Sequence, residues 1–394
     1  MHVRGWIKDV MYGLIIFGIC AAVILVVSVA ADNIVAKHNA VIVSKNVNSN
    51  LDCDYSLCTS VDNVSGSEND ENVNLACDGR DQNNNNIKDK KIVCWGDSIT
   101  YGLGGQENTY IKSEAGIIDA SNWNYPDTLR YYTGMDVYNL GVCGETSYEI
   151  ALRQGGIKMY VGKQATVKPG KRTQISIVDE SGNPVILENF NGYETDNQQP
   201  ENVVYINDIP FKLEYDNSRI YISIYDNAVD KSVKLKKGSQ IITKAAHDIS
   251  GDVLVIQMGS NGGWDDYDEL IEQYKAMIAN SGTECYIIIG DTDNPDESVD
   301  SANYTSSQEV GTDDSMWEAA LREAFGEHFI NMRTYLLENA LNIAGLEPTQ
   351  MDEEDLSQGR VPETIKYDYT HLNSYGYYAI GYGVYEKGLE LGYW

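Results

Sequence analysis

From residue 91 onward, short uninterrupted runs of apolar residues alternate with longer segments whose apolar residues recur at helical spacing. The apolar runs predict buried β-strands, and they are Ile92–Trp95, Val137–Leu140, Val253–Met258, Cys285–Ile289 and Phe329–Met332. The amphipathic segments predict helices, and they are Pro126–Tyr132, Asp265–Asn280 and Ser315–Phe325. Because helices separate strands that are apolar on both sides, the pattern predicts an α/β fold whose parallel sheet is covered on both faces.

Residues 157–249 follow a different pattern. Apolar and polar residues alternate there as in half-buried strands, in the segments Thr173–Val178, Val203–Asn207, Phe211–Tyr215 and Arg219–Tyr225. No helical pattern interrupts these segments, so we predict a small all-β domain inserted into the α/β domain. Its strand tyrosines are either a sugar-stacking face or ordinary packing residues, and they are Tyr205, Tyr215, Tyr221 and Tyr225.

The N-terminal region contains an uncharged and mostly apolar run over residues 10–31. At about 1.5 Å per residue, a helix of this run would cross the ~30 Å hydrocarbon layer of a membrane. Arg4 and Lys8 precede the run, so we expect a single-pass protein with residues 1–9 in the cytoplasm and the rest of the chain outside the cell. The alternative is a cleaved signal peptide, since Ser28-Val29-Ala30 resembles a cleavage site, and the protein would then be secreted.

Residues 32–89 are rich in Asn, Asp and Ser and show no periodic apolar pattern. Such a segment cannot bury enough apolar surface to fold alone, and we interpret it as a tether. The predicted organisation is therefore an anchor over 10–31, a tether over 32–89, an α/β domain over 90–156 and 250–394, and the β-insert over 157–249.

The charge balance and the metal-binding residue types exclude several functions. The net charge of −30, from 29 Lys and Arg against 59 Asp and Glu, argues against nucleic acid as a partner, because a polyanion would be repelled. Seven Cys are too few for a disulfide scaffold in 394 residues. The sequence has no HExxH motif and no paired CxxC motif, so we predict no metal and no other cofactor.

Candidate chemistry begins with Ser98, which lies in a Gly-Asp-Ser triplet directly after the first predicted strand. The carboxyl edge of a parallel sheet is where α/β proteins build their sites, and a glycine permits the tight turn that exposes the hydroxyl. A serine nucleophile needs a base and the base needs an orienting carboxylate, which His371 and Asp368 supply three residues apart on one segment. A helix N-cap with an incidental surface histidine is the alternative interpretation of that pair.

An acyl-transfer site also needs hydrogen-bond donors for the oxyanion. The segment Asn139–Ser147 follows the second predicted strand, and its glycines let backbone N–H groups approach a reacting carbonyl. Asn261 ends the third predicted strand and offers a side-chain amide. The alternative is that both segments are ordinary strand-end turns.

These four blocks together resemble the SGNH (GDSL-type) hydrolase superfamily. The first is Trp95-Gly96-Asp97-Ser98-Ile99-Thr100, the second Asn139–Ser147, the third Gly259-Ser260-Asn261 and the last Asp368–His371. The resemblance implies a three-layer α/β/α, flavodoxin-like core with Ser98 as nucleophile, His371 as base and Asp368 as its orienting partner. It also implies that the Ser98 and Gly144 backbone N–H groups and the Asn261 side chain form the oxyanion hole.

The sequence departs from the family pattern at two places. The third block is often Gly-x-Asn-Asp, whereas Gly262-Gly263-Trp264 follows Asn261 here, which we expect to reshape the adjacent loop while leaving the oxyanion donor in place. The distance from Gly144 to Asn261 is also far longer than is typical of the family. The predicted β-insert accounts for this excess, and we expect it near the rim of the site because both flanking blocks are there.

The function that the resemblance implies is a carboxylic ester hydrolase working through an acyl-enzyme. Outward-facing members of the superfamily often deacetylate carbohydrates, so the expected substrate is an ester of a short acyl group, such as acetyl, with a carbohydrate. One alternative is an O-acetyltransferase that acts on cell-wall or surface polysaccharide with the same triad. A second alternative is a glycan-binding surface protein that keeps a vestigial hydrolase core.

Overall fold

The computed structural model describes residues 90–113, 116–185, 202–216, 219–292 and 315–394. The predicted anchor over 10–31 and the predicted tether over 32–89 lie outside these residues. Within the described ranges, no helix combines the length and the apolar character that a membrane span requires.

Strands and helices alternate in the first and last parts of the described chain, and strands dominate the middle. The strands are β1 Lys91–Gly96, β2 Tyr110–Ser113, β3 Gly116–Asp119, β4 Asp136–Gly141, β5 Met159–Val161, β6 Ala165–Val167, β7 Thr173–Ile175, β8 Ile177–Val178, β9 Val203–Ile206, β10 Ile209–Asp216, β11 Arg219–Ile224, β12 Val233–Leu235, β13 Gln240–Thr243, β14 Val253–Gln257, β15 Tyr286–Ile289 and β16 Phe329–Ile330. The α-helices are α1 Ser98–Tyr101, α2 Tyr125–Thr133, α3 Ser147–Gln154, α4 Lys244–Asp248, α5 Tyr267–Ser281, α6 Met316–Phe325, α7 Met332–Ala344, α8 Gln350–Ser357 and α9 Ser374–Glu390.

A five-stranded sheet forms the centre of the α/β part, in the order β16-β15-β14-β1-β4. All of its pairings are parallel. Numbered along the chain within this sheet, the order is 2-1-3-4-5, which is the order of flavodoxin-like folds. The chain reverses its direction of winding at β1, and ligand sites of such sheets form at this point, outside the carboxyl ends of the strands.

Both faces of this sheet are buried under helices, as the continuous apolar runs predict. In β1, Ile92 and Cys94 pack with residues of α2, α7 and α9, whereas Val93 and Trp95 pack with residues of α3, α5 and α6. The alternation follows from the two-residue side-chain period of a strand. The described α/β part is therefore a sheet between two helical layers. Because β4, β1 and β14 are neighbours in the sheet, their ends lie side by side.

A second sheet of seven strands is formed between α3 and α4, in the order β7-β11-β10-β9-β13-β5-β8. Its pairings are antiparallel, and β6 and β12 form a separate antiparallel pair beside it. This region has its own apolar core, which includes Val204, Phe211 and Ile222. Hydrogen bonds attach it to α3, among them those from the Tyr148 hydroxyl to Asp179 Oδ2 at 3.1 Å and from Thr243 Oγ1 to the Arg153 carbonyl at 2.6 Å.

The tyrosines of this second sheet are partly engaged by neighbouring side chains. The ring of Tyr205 stacks on His247 with 3.7 Å between ring centroids. The guanidinium of Arg172 lies 3.9 Å from the centroid of the Tyr221 ring. One face of each ring is therefore covered, which favours the packing interpretation for these two residues.

The structure adds elements that the sequence pattern does not predict. They include the antiparallel hairpin of β2 and β3, the helices α3, α7, α8 and α9, and the short helix α4 inside the range 157–249. The N-terminus of α3 does carry a sequence signal, a capping box in which Thr146 and Glu149 bond each other's backbone N–H groups. Helix α9 carries an apolar pattern interrupted by glycines, and these let α2 pack against it closely: a Cβ on Gly381 would lie 2.4 Å from the Thr128 Cβ.

Candidate active site

The three segments that follow β1, β4 and β14 carry Ser98, Gly144 and Asn261. Because these strands are neighbours in a parallel sheet, their carboxyl ends meet at one edge. These three candidate residues, although far apart in the sequence, therefore lie along a single edge of the sheet.

Ser98 begins the short helix α1 directly after β1. The Asp97 carboxylate caps this helix by accepting a hydrogen bond from the Ile99 N–H at 2.9 Å. The end of β4 lies very close to α1, since a Cβ on Gly141 would lie 2.1 Å from the Tyr101 nitrogen. The serine is thus held at a fixed turn between two strand ends, with 7% of its surface exposed.

Ser98, His371 and Asp368 form a continuous hydrogen-bonded chain. The Nε2 atom of His371 lies 2.9 Å from the Ser98 Oγ atom. The other ring nitrogen, Nδ1, lies 2.9 Å from Asp368 Oδ2 and 3.0 Å from Asp368 Oδ1. The carboxylate fixes Nδ1 as the protonated nitrogen, which leaves Nε2 free to accept the serine proton.

The segment before α9 forms a tight loop around Asp368. Its Oδ1 atom accepts hydrogen bonds from the backbone N–H groups of Thr370, at 2.9 Å, and His371, at 2.7 Å. Burial acts to raise the pKa of the Asp368 carboxyl, but these bonds and the imidazole outweigh burial and hold the pKa below its usual range. The carboxylate is therefore ionised at neutral pH beside the ring that it orients.

Gly144 lies in the exposed turn between β4 and α3. Its φ angle is +78°, in the left-handed region that favours glycine. A Cβ at this position would meet no atom within 4 Å, so the backbone conformation and not crowding is what calls for glycine. The turn is joined to the serine segment by a hydrogen bond from the Val142 N–H to the Gly96 carbonyl at 3.0 Å.

Asn261 is held between the other two strand ends. Its Nδ2 atom donates to the Glu145 carbonyl at 3.1 Å and to Asp97 Oδ2 at 3.4 Å. The side-chain amide therefore lies beside both the serine segment and the Gly144 turn. The bond to Asp97 is the longer and weaker of the two, so an oxyanion would compete mainly with Asp97 for this donor.

The loop after Asn261 is held by backbone and side-chain hydrogen bonds. The Gly262 carbonyl accepts hydrogen bonds from the Ser147 N–H at 3.0 Å and from the Ser147 hydroxyl at 3.1 Å. The indole of Trp264 donates to the Gly259 carbonyl at 3.0 Å. The two bonds from Ser147 thus fasten this loop to the start of α3, and the indole bond holds the loop to Gly259, just after β14.

Asp97 is fully buried next to the candidate nucleophile. Burial raises the pKa of this carboxyl to about 7, and the nearby charges of Asp291 and Glu145 act in the same direction. The bond from the Ile99 N–H opposes the rise. Because its pKa lies near neutrality, Asp97 gains or loses its proton around neutral pH. Asp368 stays ionised over the same range.

Three residues of this edge were not assigned a role by the sequence pattern. They are Asp97, Glu145 and Arg153, and each is buried. The sequence feature that points to Arg153 is that a cationic residue occupies an inward-facing position on the helix after the Gly144 turn. Glu145, directly after Gly144, is its ion-pair partner.

The arrangement brings together a candidate nucleophile, a candidate base, a carboxylate that orients it and two candidate donor-bearing turns. These are the parts that acyl transfer through a serine requires. Within the described residues, no group of three or more His, Cys, Asp or Glu side chains is placed to hold a metal ion.

Comparisons with known proteins add little to this geometry. No model of a protein family matches the sequence, and no curated protein matches it either. A solved structure from Desulfitobacterium hafniense DCB-2, described as a lipolytic protein of the G-D-S-L family, is similar with a TM-score of 0.35 and 11% sequence identity. The similarity covers 76% of this chain and 99% of that chain. A TM-score this low does not establish a shared fold, so the geometry of this chain carries the functional interpretation.

Proposed function

We propose that this chain is an SGNH-type serine esterase that releases short acyl groups, such as acetyl, from carbohydrate. The observation that carries the proposal is the hydrogen-bonded chain from Ser98 Oγ through the His371 ring to Asp368, at 2.9 Å and 2.9 Å. A serine alone is a weak nucleophile, and an adjacent oriented imidazole activates it.

In the proposed mechanism, the Ser98 oxygen attacks the ester carbonyl while His371 Nε2 takes its proton. The negative charge of Asp368 stabilises the imidazolium that forms. The Ser98 and Gly144 N–H groups and the Asn261 amide stabilise the tetrahedral oxyanion. The imidazolium then returns the proton to the departing alcohol, which leaves an acyl group on Ser98.

A water molecule completes the reaction. His371 removes a proton from the water, whose oxygen attacks the acyl carbonyl, and the second tetrahedral oxyanion is held by the same donors. Collapse of this intermediate releases the carboxylic acid and returns the proton to the Ser98 oxygen. If a sugar hydroxyl attacks in place of water, the same steps give an acetyltransferase.

Exposed tyrosines beside the triad support a sugar as the alcohol part of the substrate. Tyr367 and Tyr369 flank Asp368 in the sequence and are 61% and 70% exposed. A flat, exposed ring can cover one face of a sugar and offer a hydroxyl, but it cannot enclose a long acyl chain. An exposed ring that can cover a sugar but cannot enclose a long chain favours a sugar ester with a short acyl group as the substrate.

The test of the reaction is acyl release from p-nitrophenyl acetate, butyrate and octanoate and from acetylated sugars, by wild type and by Ser98→Ala. We expect hydrolysis of the short esters by wild type only. Equal rates for the two proteins would overturn the esterase proposal. Acetyl-sugar formed in place of acetate, from one donor, would assign the transferase reaction instead.

The test of the sugar site is Tyr369→Ala, with Tyr131→Ala as the matched control. Tyr131 is 50% exposed and lies near the end of α2, on a different segment from the triad loop. We expect Tyr369→Ala to raise KM for acetylated sugars severalfold and to leave p-nitrophenyl acetate hydrolysis unchanged. Equal KM values in the two variants would argue against this site.

We also propose that the catalytic part is displayed outside the cytoplasmic membrane. The support is the uncharged run over residues 10–31, with Arg4 and Lys8 before it. The test is protease treatment of intact cells, followed by fractionation. Cleavage of a membrane-bound protein is expected, full protection would contradict the proposal, and release into the medium would assign a cleaved signal peptide.

A further inference from the structure

We propose that Glu145 and Arg153 are positioning residues that hold the oxyanion side of the site together. The inference rests on the proposed esterase function and extends it to two residues that contact neither the triad nor the reacting ester. Its basis is a buried ion pair that links the Gly144 turn, the Asn261 amide and the ends of two strands.

The pair is buried and bidentate. Arg153 Nε lies 2.9 Å from both carboxylate oxygens of Glu145, and Arg153 Nη2 lies 2.7 Å from Oε2. The side chains are 0% and 3% exposed. Burial acts to raise the pKa of Glu145, and the guanidinium opposes that rise. A planar guanidinium fixes the carboxylate in direction as well as in distance.

Each partner also contacts the candidate site. Arg153 Nη2 donates to the Leu140 carbonyl at 2.8 Å and approaches the Gly96 carbonyl at 3.5 Å, so it joins the ends of β4 and β1. Glu145 follows Gly144 directly, and its carbonyl accepts the hydrogen bond of Asn261 at 3.1 Å. The pair therefore ties the turn that carries one oxyanion donor to the residue that carries another.

The pair also connects the site to the second sheet. Thr243 ends β13, and its hydroxyl donates to the Arg153 carbonyl at 2.6 Å. The guanidinium lies 4.9 Å from the centroid of the Trp95 ring, on the strand that leads to the serine. Arg153 is thus the point at which β1, β4, the Gly144 turn and the β-rich region meet.

Stability alone is a weak explanation for a pair of this kind. Desolvation of two charges offsets much of their attraction, and apolar residues can replace a buried ion pair without loss of stability. Unlike an apolar pair, the ion pair fixes the direction of the Glu145 backbone. The oxyanion geometry depends on that direction because preorganised donors act only when they are aimed correctly.

A second buried ion pair provides the matched control. Arg333 Nε and Nη2 each lie 2.8 Å from a carboxylate oxygen of Glu318, and the side chains are 2% and 1% exposed. The Glu318 carboxylate also accepts the Ser315 N–H in the cap of α6. The two pairs match in chemistry and burial. They differ in location, because one contacts the Gly144 turn and the other contacts the cap of α6.

The experiment compares Glu145→Gln with Glu318→Gln in the full chain. Unfolding in urea gives stability, and p-nitrophenyl acetate hydrolysis gives kcat and KM. We expect comparable losses of stability but a decrease in kcat of about 10- to 100-fold, with little change in KM, in Glu145→Gln only. Equal kcat values in the two variants would overturn the proposal.

Arg153→Lys separates charge from geometry. It keeps the positive charge but cannot make the bidentate pair and the Leu140 bond together, so we expect it to lower kcat as Glu145→Gln does. Activity equal to wild type would mean that charge alone suffices, which contradicts positioning. This variant also keeps the proposal testable should Glu145→Gln fail to fold.

A crystal structure of Glu145→Gln distinguishes failure of this inference from failure of the esterase proposal. We expect a displaced Gly144 turn and a lost bond between Asn261 Nδ2 and the residue 145 carbonyl. An unchanged turn would overturn the positioning role even if wild type hydrolysed esters. A displaced turn would support the role even if wild type proved inactive on every ester tested.

Discussion

The Nε2 atom of His371 lies 2.9 Å from the Oγ atom of Ser98, although 273 positions separate the two residues. Ser98 is carried by the turn after β1, and His371 by the loop before the C-terminal helix α9. Helix α9 packs beside α2 and α7 on one face of the sheet, and this packing brings the loop to the sheet edge. The proposed chemistry therefore depends on how the last helix docks.

Replacing Asp368 by Asn tests the orienting carboxylate. An Asn oxygen can still accept the Thr370 and His371 N–H bonds that shape the loop, so the fold should persist. The imidazole loses the charge that fixes its tautomer, and we expect kcat for short esters to fall by roughly 10³–10⁴-fold. Steady-state kinetics with parallel urea unfolding is the measurement. A decrease below about tenfold, which is far under that range, would contradict the role.

Gly144→Ala tests the left-handed turn. A non-glycine residue at φ +78° costs on the order of 1 kcal/mol, and relaxation of the turn would turn the N–H away from the oxyanion. Gly238 is the matched control, since its φ is +82° and its Cβ position is also open, but it lies in the turn before β13. We expect similar losses of stability and a loss of activity only in Gly144→Ala. Equal activities would show that the turn is structural.

Asn261→Ala tests the side-chain donor. Loss of one oxyanion donor typically lowers kcat by about 10²–10³-fold while leaving ground-state binding alone. Asn261 is exposed, so we expect only a small change in the free energy of unfolding. The separation of kcat from KM on p-nitrophenyl acetate is the measurement. A change confined to KM would assign Asn261 to substrate binding.

Asp97 predicts a pH dependence of stability. Its folded pKa of about 7 exceeds its ordinary value of 3.8, so the folded state holds the proton more tightly than the unfolded state does. The contribution of Asp97 is fully present below about pH 4 and declines as pH rises to about 7. Relative to Asp97→Asn, wild type should therefore lose stability over this window and remain level above it. Urea unfolding from pH 4 to 8 is the measurement, and a constant difference between the two proteins would contradict the raised pKa.

The sequence pattern predicts some elements far better than others. Val253–Met258 and Asp265–Asn280 correspond closely to β14 and α5, because buried strands and amphipathic helices carry strong periodic signals. The sequence pattern does not predict helix α9, because Gly381 and Gly383 weaken helix propensity. These glycines allow α2 and α7 to pack closely against α9, since side chains from α2 and α7 occupy the space that a Cβ would need.

The residues of the candidate site also differ in how well the sequence predicts them. The sequence indicates Ser98, Asp368 and His371 because each lies in a short segment whose residue types have a chemical meaning. It gives only a weak signal for Arg153, whose proposed role depends on contacts with the Gly96 and Leu140 carbonyls and the Glu145 carboxylate. A raised pKa at Asp97 is equally invisible in sequence, because burial and the approach of Asp291 cause it.

The order of apolar runs and glycine-bearing turns determined that this chain forms an α/β sheet with candidate site residues after its strands, because strand and turn preferences are local. Tertiary structure decided which strand ends became neighbours, and so which of these segments lie beside Ser98. It also decided the partners of the buried charges, since desolvation and pairing arise only when distant segments pack together.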